Sequence, residues 1–154
     1  MTRGSLDHVG IVVHDISTSL AFYRDLLGLK VTDEGVGQGP DLDTLLGAAG
    51  VKLRFAELDL GRGQILELLS DETAAGASSD GPLKVPGVPA CGLVHFAVQV
   101  QEIADVVKRL RKAGYSVRSD PVTLHEEGRW SGAKAVYAWD PDGAMVELIS
   151  LPGE

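Results

Sequence analysis

The chain of 154 residues contains an internal duplication, and this feature constrains its fold more than any other. Residues 6–13 resemble residues 93–100: both runs alternate apolar with small or polar side chains, and both have a histidine at the third position. Near the end of each half, residues 63–70 resemble residues 143–150, with glycine, glutamate, leucine and serine at matched positions. Because a repeated sequence folds into repeated structural units, we expect two similar modules.

A helix is predicted after each of the two alternating strands. In the first half the apolar positions Ile16, Leu20 and Leu27 recur at helical spacing, and in the second half residues 103–110 show the same periodicity. Each pattern is followed by a glycine, Gly28 or Gly114. Glycine is the usual residue just past a helix end because it adopts the left-handed conformation without penalty.

Three further stretches in each half are prone to form strands. The first is short, and the other two are joined by a glycine-containing turn typical of a hairpin. In chain order these stretches are residues 29–32, 51–60, 63–70, 115–117, 134–139 and 143–150. Residues 34–50 are expected to be irregular apart from a short helix near 43–46. The sequence therefore predicts an α+β fold of two tandem βαβββ modules.

A stretch rich in Gly, Ala, Ser, Pro and Asp separates the two halves. It covers residues 71–91, where three prolines interrupt any regular element, and it is interpreted as a linker. Module 1 then spans about residues 4–70 and module 2 about residues 92–151. Together they are expected to form a single domain over residues 1–154.

Charge and composition narrow the possible partners. The 22 acidic residues outnumber the 14 basic ones, and a formal net charge of -8 argues against nucleic acid, whose phosphates are bound mainly by Lys and Arg. No apolar run approaches the roughly 20 residues of a membrane span. The single cysteine, Cys91, cannot form an internal disulfide. A cytoplasmic protein that binds neither nucleic acid nor membrane is expected.

Two histidines lie where an apolar strand leaves space. Strand alternation places His8 on the same face as Gly10, and His95 on the same face as Ala97, opposite the bulky apolar side chains that would seat the helices. A single histidine in a strand is more often a hydrogen-bonded core residue than a metal ligand. Its repetition at matched positions favours a shared role, although a duplication also copies residues without function.

Two glutamates repeat in the same manner. Glu67 and Glu147 stand in almost wholly apolar strands, where a carboxylate is costly to desolvate unless something pairs with it. A pseudo-two-fold axis relating the modules would bring both glutamates and both histidines together. Two imidazoles and two carboxylates suit one divalent transition metal ion, Ni, Co, Zn, Mn or Fe, and leave two positions open on a six-coordinate ion.

Five segments of the chain resemble the vicinal oxygen chelate superfamily, which includes glyoxalase I, methylmalonyl-CoA epimerase, extradiol dioxygenases, fosfomycin-resistance enzymes and bleomycin-binding proteins. These segments are residues 6–11, 22–29, 65–68, 94–98 and 140–148. The resemblance implies a cup-shaped mixed sheet around a metal site, with the four ligand positions occupied by His8, Glu67, His95 and Glu147. The ligand set is similar to that of glyoxalase I.

The resemblance also implies a reaction. In the lyase and isomerase branch, the metal binds adjacent oxygens of a small substrate and stabilises an enediolate, while a glutamate at the metal moves the proton. Glu147 is our slight preference for this base over Glu67. Arg129 and Trp130 are candidates for contacting the substrate, with an ordinary surface loop as the competing interpretation. Family members are often dimers, so a homodimer is expected.

Two other functions are compatible with the family. His8, His95 and Glu147 alone would make the iron site of an extradiol-type dioxygenase, but Glu67 would then occupy a position that the catechol and oxygen need. A non-catalytic protein that sequesters a cationic drug would suit the charge of -8. Such a binder has no need of a complete ligand set.

Overall fold

Two compact units make up the chain in the computed structural model, one within residues 1–81 and the other within residues 82–154. The structure describes residues 7–46, 49–72, 95–125 and 131–152. Each unit contains its own four-stranded sheet and its own core.

The first unit is a mixed sheet with one long helical segment on one face. Its elements are β1 His8–Val12, α1 Ile16–Leu20, β2 Lys30–Gln38, α2 Pro40–Leu46, β3 Lys52–Gly61 and β4 Gln64–Asp71. The strand order is β1-β4-β3-β2, with β1 parallel to β4 and the other pairs antiparallel. The first and last strands of the unit are thus neighbours.

Helix α1 is stabilised by its capping residue and its apolar face. The Oδ1 atom of Asp15 accepts hydrogen bonds from the backbone N–H and the hydroxyl of Thr18, both at 2.7 Å, which supplies the N-terminal cap. Beyond Leu20 the helix continues as a π-helical stretch over Ala21–Leu26, whose Phe22 and Tyr23 are fully buried. These side chains cover one face of the sheet and leave the other face open.

The second unit repeats the same order of elements. They are β5 Phe96–Gln99, α3 Ile103–Lys112, β6 Val122–Thr123, β7 Lys134–Trp139 and β8 Met145–Ser150, in the strand order β5-β8-β7-β6. Strand β5 is parallel to β8, and the remaining pairs are antiparallel. Helix α3 buries Ile103, Val106, Val107 and Leu110. The α+β class and the two βαβββ units are confirmed.

Two local predictions are wrong. Strand β2 runs through Gln38, within the stretch predicted to be irregular, because residues 34–38 pair in register with β3 and Gly35 leaves space for the ring of Phe55. Helix α2 accordingly starts at Pro40 rather than near residue 43. Residues 115–117 form no strand and make one isolated bridge, Val117 to Ala138; β6 comes later, after Pro121.

The helices of the described residues offer no candidate for a membrane-spanning segment.

Candidate metal centre

The first histidine and glutamate pair lies on the open face of the first sheet, the face opposite the helix. Register places Glu67 beside Gly10 on one side and Glu57 on the other, and neighbouring Leu66 and Leu68 are buried on the helix face. The Nε2 atom of His8 lies 3.7 Å from Oε2 of Glu67, whose side chain is 24% exposed. A Cβ atom added at Gly10 would lie 3.5 Å from the same oxygen, so glycine leaves room beside this carboxylate.

The other ring nitrogen of His8 is held by Asp7. Nδ1 lies 3.0 Å from Oδ2 of Asp7, and because a carboxylate only accepts, the imidazole donates. This hydrogen bond raises the pKa of His8 above its ordinary value, assisted by the charges of Glu67, Asp7 and Glu57 and opposed by partial desolvation. Metal-binding histidines commonly donate their second N–H to a carboxylate, and Asp7 supplies such an acceptor.

The second pair occupies the matching position on the open face of the second sheet. His95 stands immediately before β5, and Glu147 pairs in register with Ala97. The Nε2 atom of His95 lies 3.0 Å from Oε2 of Glu147, whose side chain is 19% exposed. The Nδ1 atom of His95 is buried and has no hydrogen-bond partner within the described part of the chain. The two histidines therefore differ in how their second nitrogen is supported.

Tyr137 is a further member of this second cluster. It lies directly opposite Glu147 in the β7–β8 register, and its ring meets that of His95 edge to face, with centroids 5.2 Å apart. Burial raises the pKa of Tyr137 and the charge of Glu147 adds to the effect, while Arg118 opposes it. The sequence prediction missed this residue. The sequence predicted that Tyr137 lies in a strand, but it did not predict the register that places Tyr137 beside Glu147.

Arg118 and Glu57 were also missed. Arg118 places its guanidinium carbon 5.2 Å from the ring centroid of Trp139, on the neighbouring strand β7. Glu57 in β3 lies opposite Glu67 and makes the open face of the first sheet more acidic. The predicted substrate contacts Arg129 and Trp130 lie outside the described residues.

The donor atoms of each pair suit a shared divalent ion. Neighbouring ligands about 2.1 Å from a six-coordinate ion stand about 3.0 Å apart. The His95–Glu147 separation of 3.0 Å is that of a direct ion pair and also matches this spacing, while the His8–Glu67 separation of 3.7 Å is somewhat wider. Across residues 7–46, 49–72, 95–125 and 131–152, no group of three or more His, Cys, Asp or Glu side chains is arranged to hold a metal. Each unit thus presents two of the four predicted ligands.

A shallow depression of about 640 Å³ lies elsewhere, between the end of β2 and the start of β3. Among its lining residues, Asp43 accepts the backbone N–H groups of Gly50 and Val51, and Lys52 pairs with Glu72. Its charged groups are thus used within the fold, and the open sheet faces are the better candidates for function.

Comparison with known proteins identifies the family. Residues 5–148 match the model of the Glyoxalase/Bleomycin resistance protein/Dioxygenase superfamily. The chain belongs to this superfamily. A glyoxalase family protein from Bacillus cereus has the same fold, with a TM-score of 0.78, 20% identity and 99% of each chain covered.

Two other members of the superfamily have functions in their names. Human mitochondrial methylmalonyl-CoA epimerase is 27% identical over 146 residues, which cover 94% of this chain and 73% of the epimerase. The trypanothione-dependent glyoxalase I of Leishmania major matches with a TM-score of 0.61 and 23% identity, over 96% of this chain and 87% of that one. The superfamily to which this chain belongs therefore includes enzymes such as glyoxalase I and methylmalonyl-CoA epimerase.

Proposed function

We propose that the protein is a divalent-metal-dependent lyase or isomerase of glyoxalase or epimerase type. It would move a proton between neighbouring carbon atoms of a small oxygenated substrate. The observation that carries the proposal is the repetition of one His–Glu pair on the open face of each sheet, His8 with Glu67 and His95 with Glu147. The epimerase and glyoxalase I relatives support this reaction type.

Four side chains would hold the ion: His8, Glu67, His95 and Glu147. Two carboxylates would balance the charge of a divalent cation, and the mixed nitrogen and oxygen donors favour Ni, Co, Zn, Mn or Fe. A bound ion would act as a Lewis acid and lower the cost of negative charge on a substrate oxygen.

Glu147 is the residue we assign as the base. Its carboxylate would accept the proton from the carbon beside a carbonyl and return it to the neighbouring carbon. The side chains of Glu147 and Glu67 are similarly shielded, at 19% and 24% exposed, and Glu147 differs in having Tyr137 opposite it. Tyr137 beside it could donate its phenolic hydrogen bond to the substrate, since a tyrosine is protonated at neutral pH and burial raises the pKa of this one further.

Metal analysis of the full chain, purified without added metal, tests the first part of this proposal. We expect about one divalent ion per chain, and a clear loss in the variants His95→Ala and Glu147→Gln. Glu57→Gln is a matched control, because it removes the same charge from an open sheet face without removing a proposed ligand. A metal content near zero after nickel or cobalt loading, or equal content in all variants, would contradict a metal centre at these residues.

Proton exchange tests the second part. Nickel- and cobalt-loaded protein would be incubated in D2O with methylmalonyl-CoA and with the hemithioacetal of methylglyoxal and glutathione, and deuterium incorporation followed by NMR. We expect exchange per bound metal ion that is lost in Glu147→Gln while the fold is retained, so that loss of the metal and loss of the base are measured separately. Glu67→Gln distinguishes the two glutamates, since exchange that depends on Glu67 alone would reassign the base. The small-molecule substrate, the homodimer and the cytoplasmic location stay predictions.

A further inference from the structure

A single arginine shares the open face of the second sheet with the His95–Glu147 pair. The backbone N–H of Arg118 donates to the carbonyl of Tyr137 at 2.9 Å, and the N–H of Trp139 donates to the carbonyl of Ser116 at 3.1 Å. In an antiparallel ladder this pattern sets Arg118 opposite Tyr137, so their side chains share one face. Since Tyr137 is opposite Glu147 in turn, Glu147, Tyr137 and Arg118 form one row across β8, β7 and the segment bridged to β7 at Val117.

The guanidinium of Arg118 lies over the indole of Trp139 at an exposed position. Its central carbon is 5.2 Å from the ring centroid, a cation–π contact that uses none of its N–H groups. Other arginines are engaged by acids: Arg111 pairs with Asp120 at 2.6 Å and Arg24 with Asp25 at 2.7 Å. No carboxylate within the described ranges forms an ion pair with the guanidinium of Arg118.

This charge has no equivalent on the rest of that face. In the described part of the second unit, the remaining lysines and arginines lie on α3, except Lys134, whose position in β7 alternates with that of Tyr137. In the first unit the corresponding row contains Glu67 and Glu57 instead. A cation that lies beside the proposed metal ligands and has no acidic partner among the described residues is suited to hold an anionic group.

We propose that Arg118, in cation–π contact with Trp139, binds a carboxylate or phosphate group of the substrate. This inference rests on the proposed function and narrows its substrate class to small anions with two adjacent oxygens. Adjacent strands lie about 4.8 Å apart, so the backbones of Glu147 and Arg118 are about 10 Å apart. Tyr137 stands between them in the row, so a substrate of a few carbon atoms that contacts both the His95–Glu147 pair and the guanidinium would lie over its ring. A planar guanidinium binds two oxygens of such a group at once.

Three hydroxamates test the inference, because each presents the same two adjacent oxygens to a metal. Acetohydroxamate is the reference, N-hydroxysuccinamate adds a carboxylate and phosphonoacetohydroxamate adds a phosphonate. Their affinities for the nickel-loaded full chain are measured by calorimetry. We expect at least one anionic probe to bind about tenfold more tightly than acetohydroxamate, since charge-assisted hydrogen bonds contribute that much. The anionic probe that binds more tightly than acetohydroxamate shows whether the site prefers a carboxylate or a phosphate.

Variants test whether the tighter binding of the anionic probe depends on Arg118. Arg118→Gln should abolish the preference for the anionic probe, and Arg118→Lys should retain part of it. Arg109→Gln, at an exposed position of helix α3, is the control with the same change in net charge. It should leave the preference for the anionic probe intact. The indole N–H resonance of Trp139, assigned with Trp139→Phe, should shift on titration with the anionic probe.

The outcomes distinguish the role of Arg118 from the metal centre on which it rests. If acetohydroxamate binds while both anionic probes bind no more tightly, the role of Arg118 is wrong and the metal centre stands. An anionic preference that survives in Arg118→Gln would also overturn that role. If none of the hydroxamates binds, the metal centre fails, and the inference fails with it.

Discussion

Replacing Asp140 by alanine should destabilise the second unit strongly, because this side chain holds the turn between β7 and β8. Asp140 is 5% exposed, and its Oδ1 atom accepts the backbone N–H groups of Asp142 at 3.0 Å and Ala144 at 2.7 Å. The turn sets the register that places Tyr137 opposite Glu147. The substitution therefore tests both the stability of the hairpin and the local geometry of the candidate site.

The expected cost follows from these two hydrogen bonds. Bonds to a charged acceptor contribute about 1.5–3 kcal/mol each, and alanine would leave both N–H groups without this partner. Because Asp142 and Ala144 are only half-buried, water can replace part of the loss, and we expect about 3 kcal/mol in the free energy of unfolding. With a urea dependence of about 2 kcal/mol per molar, the midpoint should fall by about 1.5 M.

Urea titration of the metal-free full chain, followed by circular dichroism, measures this shift. Asp140→Asn keeps an acceptor oxygen in place and should cost about 1 kcal/mol, since only the charge is lost. Asp59→Ala is the control from the first unit: Asp59 is exposed and accepts one N–H, from Gly61 at 2.6 Å, so its loss should cost under about 1 kcal/mol. An equal midpoint shift for Asp140→Ala and Asp59→Ala would refute this account.

Three further predictions concern protonation, capping and the core. In the metal-free protein, NMR titration should give His8 a pKa above its ordinary value, and Asp7→Asn should lower that pKa. The stabilisation of the fold by protonated His8 is fully present below the unfolded-state pKa and is lost as pH rises through the folded-state pKa. A His8 titration that Asp7→Asn leaves unchanged would contradict this coupling. Asp15→Ala should cost about 1 kcal/mol near neutral pH through loss of the N-cap. Hydrogen bonds from Thr18 lower the pKa of Asp15, so this difference should disappear as pH falls through the folded-state pKa, and a difference that persists in denaturation at acid pH would argue against the cap. Leu110→Ala should lower the free energy of unfolding by about 3 kcal/mol, because Leu110 is fully buried, and a loss under about 1 kcal/mol in urea would contradict its place in the core.

Much of the architecture was predictable because repeated periodicity has a direct structural meaning. The two alternating runs, the helical patterns after them and the glycine turns predicted the order of elements in both units. The same alternation predicted that His8 shares a face with Gly10, as observed. The prediction was wrong in the second half of β2, where polar and glycine residues have little intrinsic preference for a strand. Pairing with β3 overrides that preference there.

The sequence alone determined which residues can share a sheet face, since a strand alternates with a period of two. Only the tertiary structure decided which residues stand opposite one another, because register depends on turn geometry and strand pairing rather than on any single run. Strand pairing brought His95 to 3.0 Å from Glu147, set Tyr137 beside them and placed the guanidinium of Arg118 over the ring of Trp139. These contacts join residues distant in the chain, and their chemistry follows from that proximity.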